Sequence, residues 1–182
     1  IDLLALQEID TNTETPELDR IRFAGSQPFK LAHHPIQNVV IATDRGGNRD
    51  SIYVMDYRDL TTLGQIYSFA YNIDREDSLK LTGSTGVEFN ADGSEIYVAT
   101  PGKISFSGRD NIPVSGYLIP IQTQGVFDEK QASTIWEVDA PIQVGIKPFG
   151  VVRSPNPTDP RLAIAVRGSE AAGVKFVDPR TH

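Results

Sequence analysis

The chain has 182 residues, 39% of them hydrophobic and 23% charged, with a formal net charge of −7 and no cysteine. That length and apolar fraction fit one domain with a real core. The acidic balance, without any Lys or Arg run, argues against a nucleic-acid partner or an anionic membrane surface, and the missing thiols remove disulfides, thiol nucleophiles and thiolate metal sites together. No apolar run reaches the roughly 18 residues that a membrane-spanning helix needs.

In chain order, "IDLLALQEID" from Ile1 and "ELDRIRFAG" from Glu17 occupy the third and fourth strand places of a sheet, so residues 1–27 are expected to be the end of a blade. No charged leader with an apolar segment follows Ile1, and a mature or cut chain is expected. From Pro28, "PFKLAHHPIQNVVIATDRG" reads as two strands joined by a turn at "HHPIQ". "SIYVMD" at Ser51 and "LGQIYSF" at Leu63 supply a third and a fourth strand by their period-two or continuous apolar character. Residues 28–83 thus form one blade.

The stretch "STGVEFNADGSEIYVATPG", Ser84 to Gly102, repeats this grammar with an Asp-Gly turn between a half-buried strand and a β-branched, aromatic one. "GYLIPIQ" at Gly116 and "STIWEVD" at Ser133 follow as third and fourth strands, which makes residues 84–147 a second blade. From Pro148, "PFGVVRSPNPTDPRLAIAVRG" gives the hairpin a third time with a lengthened Ser-Pro turn, and "GVKFVD" at Gly173 is its third strand, so residues 148–182 read as an incomplete blade. Val87 lies 56 residues after Leu31, and Val151 lies 64 after Val87. This exceeds the usual period of about 40–50 residues for a blade, and the excess is expected in connecting loops, Tyr71 to Ser84 and Pro101 to Ser115.

A four-stranded meander cannot bury both its faces alone, but sheets stacked radially bury one another. The fold class read from the sequence is therefore all-β: a β-propeller of four-stranded antiparallel blades, with about three blades here of a larger, for example seven-bladed, propeller. A β-sandwich is the main rival. Both ends fall mid-blade and each carries a third strand, so they cannot complete one another. The remaining blades, in the same propeller or another chain, are the expected partner.

The Ser84–Thr100 stretch, with its apolar strand, Asp-Gly turn and "IYVAT", resembles the YVTN-type or lactonase-like β-propeller repeat. Asn90-Ala91 stands where that repeat commonly has Ser-Pro; the third copy keeps Ser154-Pro155 without Asp-Gly, and the first keeps only the strand pattern. The resemblance implies a propeller and leaves the activity open among lactonases, dehydrogenase subunits and surface-protein modules.

Candidate chemistry is sparse. "TDRGGNRDS" brings the oxygen ligands Asp44, Asn48 and Asp50 around a Gly-Gly pair, the material of a calcium loop, although the spacing fits no EF-hand and Asp/Asn/Gly clusters are common in hairpin turns. These three residues are the ion-site candidates, and calcium is the one cofactor entertained. His33 and His34 are adjacent and precede Pro35, so a turn role is favoured over shared metal ligation. "NIDREDS", from Asn72, and Arg109 with Asp110 belong to expected long loops. Trp136, Tyr117, Tyr67 and Phe69 read as packing between blades. Glu88 lies on a first strand, but Lys30 or Ala32 and Val152 stand at the matching positions, so no carboxylate set assembles. There is neither a G-x-S-x-G elbow nor a phosphate loop. The functional expectation is a non-catalytic interaction module of a secreted or cell-surface protein, in an extracellular or periplasmic setting, that presents loops for protein binding. The alternative is part of a lactonase-like or dehydrogenase propeller enzyme whose active residues lie outside this segment.

Overall fold

The computed structural model describes residues 28–44, 51–56, 61–67, 79–81, 85–104, 112–123, 139–168 and 172–181. These form three antiparallel sheets. The first is β1 (Pro28–His33), β2 (Val39–Asp44), β3 (Ser51–Asp56) and β4 (Thr61–Tyr67), paired in sequence order. The second joins β5 (Leu79–Leu81), β7 (Glu95–Ile104), β8 (Ile112–Gln122) and β9 (Ile142–Ile146), with β6 (Gly86–Phe89) also paired to β7. The third is β10 (Pro148–Arg153), β11 (Leu162–Val166) and β12 (Gly173–Val177).

The expected hairpin recurs in matching register. Leu31 pairs with Ala42, Val87 with Val98, and Val151 with Ile164. The third loop is longer than the other two by an even number of residues. A strand alternates faces with a period of two, so this insertion leaves every side chain on its original side. The residue that closes each turn is also equivalent: His34, Asn90 and Ser154 donate their backbone N–H to Val39, Glu95 and Arg161. At each of these positions the side chain supplies an acceptor for a neighbouring backbone N–H. His34 Nδ1 accepts from Ile36 (3.1 Å) and Gln37 (2.9 Å), Asn90 Oδ1 from Glu95 (3.1 Å), and Ser154 Oγ from Asn156 (3.2 Å). Three different side chains thus satisfy turn donors that have no strand partner.

The sheets stack. One apolar cluster joins Ala32, Val39, Ile41 and Val54 of the first sheet to Val87, Phe89, Ile96, Val98, Ile119 and Ile121 of the second. Another joins Tyr97, Ala99, Leu118, Ile142 and Val144 of the second to Val151, Leu162, Ile164, Val166 and Val177 of the third. The second sheet is therefore buried on both faces, and the first strands β1, β6 and β10 lie side by side. Tyr117 packs half-buried against the first cluster, as its aromatic character suggested.

Three details depart from the sequence reading. Leu79–Leu81, expected in a loop, forms β5 and pairs with β7. Residues Pro101–Ile104 and Ile112–Ser115, also expected in a loop, continue β7 and β8, with Gly102 opposite Val114 and Lys103 opposite Pro113. The physical reason is a register shift between Thr100 and Gly102, which absorbs the Pro-Gly pair as an irregularity within a strand instead of a turn. The strand beside β8 is β9 at Ile142–Ile146; the expected strand at Ser133, including Trp136, lies outside the described residues, as does Phe69.

Candidate binding surface

At the end where the first strands begin, the two Pro-Phe dipeptides meet. The rings of Phe29 and Phe149 pack edge to face with centroids 5.4 Å apart. The β6 strand between them is small at this level: a Cβ on Gly86 would stand 3.1 Å from the Gly150 Cα and from the Val151 nitrogen. Thr85 fastens the same level by donating from Oγ1 to the Pro148 carbonyl at 2.6 Å, and its backbone N–H bonds the Ala99 carbonyl at 2.8 Å.

Two cations sit on this aromatic pair. Lys30 Nζ lies 5.3 Å from the Phe149 ring centre and 5.7 Å from that of Phe29, and the Arg167 guanidinium carbon is 3.9 Å from the Phe149 centre. Both side chains belong to exposed residues, and neither has a carboxylate partner among the described residues. Lys147, which immediately precedes Pro148, is also exposed and adopts φ 52°, an uncommon left-handed conformation for a residue with a Cβ. Lys30, Lys147 and Arg167 thus lie at one end of the first strands in a chain of net charge −7, with Asp44 opposite Pro28 at the same end.

The turn end has different chemistry. His34 is buried, its ring packs edge-on against Phe89 with centroids 5.0 Å apart, and its Nε2 side faces Gly93. Burial lowers its pKa below the ordinary 6.5, opposed by a hydrogen bond with the Gly93 backbone. Glu95, Tyr97, Gln122 and Asp139 form a polar network: the Tyr97 hydroxyl donates to Glu95, and Gln122 Nε2 donates to Glu95 Oε1 (3.2 Å) and Asp139 Oδ2 (2.6 Å). Burial raises the Glu95 pKa, while its bond from Tyr97 works the other way. Burial and the neighbouring Glu95 likewise push the Tyr97 hydroxyl well above its ordinary range. Glu88 is half-buried, and desolvation raises its carboxyl above the usual range, opposed by the Phe89 N–H at 3.1 Å and by Arg153.

Asp44 ends β2, opposite Ser51 in register, while Asn48 and Asp50 lie outside the described residues. No group of three or more His, Cys, Asp or Glu able to hold a metal occurs among the described residues. The acidic stretch from Asn72, Arg109, Asp110 and His182 also lie outside them, and the Tyr67 backbone ends β4. No described helix is long and apolar enough to cross a membrane. The sequence reading gave no binding role to Phe29, Lys30, Phe149 or Arg167. The usable signal was the Pro-Phe dipeptide opening two of the three copies.

Stacked antiparallel meanders with their first strands side by side define an all-β, propeller-like fold. The fold is similar to that of Kuenenia stuttgartiensis hydrazine synthase, a β-propeller-containing protein, with a TM-score of 0.55 and 16% identity over 83% of this chain and 40% of that one. The chain thus spans about two fifths of the length of that structure, and at this identity the likeness extends to the fold alone. No family model matches the chain, and no curated protein matches it.

Proposed function

We propose that this chain forms about three blades of a larger propeller, of the YVTN type that the Ser84–Thr100 motif resembles, and that the propeller is a non-catalytic interaction module of a secreted or cell-surface protein. Its binding end is the one at which β1, β6 and β10 begin, and its partner is a protein segment rich in carboxylates and aromatic rings. One observation carries this reading: Lys30 and Arg167 stand on the Phe29–Phe149 pair with no carboxylate partner among the described residues. Exposed cations over an aromatic floor suit an acidic, aromatic ligand, because charge steers the encounter and ring contact supplies the buried apolar area.

The test uses a random Glu/Tyr copolymer as probe, with a Lys/Tyr copolymer as its opposite, in a binding titration at two salt concentrations. The Glu/Tyr polymer is expected to bind, more weakly as salt rises, and the Lys30→Glu/Arg167→Glu variant to lose at least roughly tenfold in affinity. Equal binding of both polymers, or an unchanged affinity in the variant, would sink the proposal.

A further inference from the structure

The same cross-strand row can be followed through all three sheets. In the first sheet it is Ala32–Ile41–Val54, in the second Glu88–Tyr97–Pro120, and in the third Val152–Ala163–Phe176, each joined by backbone pairing in equivalent register. The first row is buried against the second sheet, with Ile41 at 0% and Val54 at 1% exposure. The second is covered by the third sheet, with Tyr97 at 3% exposure. The third lies open: Val152 is 61% exposed and Phe176 68%, and the neighbouring Val174 is 61% exposed although its counterpart Leu118 is fully buried. A cleft of about 500 Å³ opens here among Val152, Ala163, Phe176 and the Asp159–Arg161 ion pair.

A surface that is apolar at the positions where two preceding copies are covered is the unfinished edge of a stack, since contiguous exposed apolar area marks an interaction site. We infer that the Val152–Ala163–Phe176 face of the third sheet is covered by a further sheet of the same repeat, one that presents a β-branched aliphatic face equivalent to Val87–Val98–Ile119 and Val151–Ile164. The occupant follows from continuity with the two interfaces already formed. In both, the covering sheet contributes its apolar face from its first three strands, and the row beneath accepts it. The cleft is then part of a seam between sheets. The inference rests on the propeller half of the proposed function and owes nothing to the binding of an acidic ligand.

Residues 1–182 contain no cysteine, so a thiol introduced among them reports coverage there once the labelling of the unsubstituted polypeptide is subtracted. In the full-length polypeptide, Val174→Cys is expected to react with a thiol-specific reagent at least roughly 100-fold more slowly than Gln143→Cys, a substitution at an exposed position, and at an equal rate in denaturant. Phe176→Asp is expected to lower the melting temperature of the same polypeptide, whereas the same change on an open face would leave it unchanged or raise it. Equal labelling rates in the native protein would overturn the inference. So would protection that disappears on dilution, because the occupant would then be a second copy of the chain. Neither readout involves a ligand, so failure of copolymer binding leaves this result standing, and the converse holds.

Discussion

The two interfaces on either side of the second sheet use one repeat and two chemistries. Toward the first sheet the contact is aliphatic and aromatic, centred on the fully buried Phe89 and closed at the turn end by His34. Toward the third sheet the side chains are smaller or polar. Ala99 and Tyr97 stand where the other face has Val98 and Ile96, Gly86 lets two backbones approach, and Thr85 ties the sheets by a hydrogen bond. A repeat therefore need not repeat its packing. Register fixes which positions meet, and residue identity then decides whether volume or close approach holds them.

That contrast can be tested by substitutions of graded size. Phe89→Ala removes a side chain with 0% exposure from the first interface, and the unfolding free energy measured in urea should fall by about 3–5 kcal/mol. Gly86→Ala attacks the second. Its new Cβ meets backbone atoms at 3.1 Å, which cannot swing aside as a side chain could, so a loss of about 1–3 kcal/mol is expected by the same measurement. If Gly86→Ala proved the costlier, close approach and not volume would be the stronger constraint.

A smaller effect separates the interfaces by pH. The folded pKa of His34 lies below the ordinary 6.5, so the unfolded chain binds its proton first on acidification. The contribution is present in full above about pH 6.5 and is lost as pH falls toward the depressed folded value. Melting temperatures of the wild type and His34→Gln, compared from pH 7.5 to 5, should show the wild type losing more. Using the difference between the two removes the opposite trend of Glu88 and Glu95, whose raised values favour the folded state in acid. The smallest effect belongs to a site outside both interfaces. Arg180 Nε lies 3.5 Å from Asp178 Oδ1, and the Arg180 side chain is exposed and takes no part in lining the cleft beside Val152. Arg180→Gln should leave the urea midpoint unchanged within error.

Much of this architecture could be read from residue order. The hairpins at Pro28, Ser84 and Pro148 and the third strands at Ser51, Gly116 and Gly173 follow from alternation and turn chemistry, and the alignment of Leu31, Val87 and Val151 agrees with their paired partners. What failed was punctuation. Pro101-Gly102 looks like a turn, but a register shift carries β7 through it. Pro120, by contrast, stays inside the strand read at Gly116: its N and carbonyl point away from β7, where β9 no longer pairs and Asp139 bonds the carbonyl at 3.0 Å. The β5 strand, only three residues long, carries too few positions for a period to show. The cation–aromatic cluster was hidden for another reason: Lys30 and Arg167 are far apart in sequence, and only the stacking of sheets brings both to Phe149.

The junction at Lys147 has a kinetic side. It alone separates the end of β9 from the start of β10, so the second and third sheets are joined by a tether of one residue held at φ 52°. With so little chain between them, the effective concentration of one sheet at the other is high, and closing their contact costs little loop entropy. The order of assembly should follow: the third hairpin docks as soon as it forms, and the junction with the first sheet, reached through a longer connection, closes later.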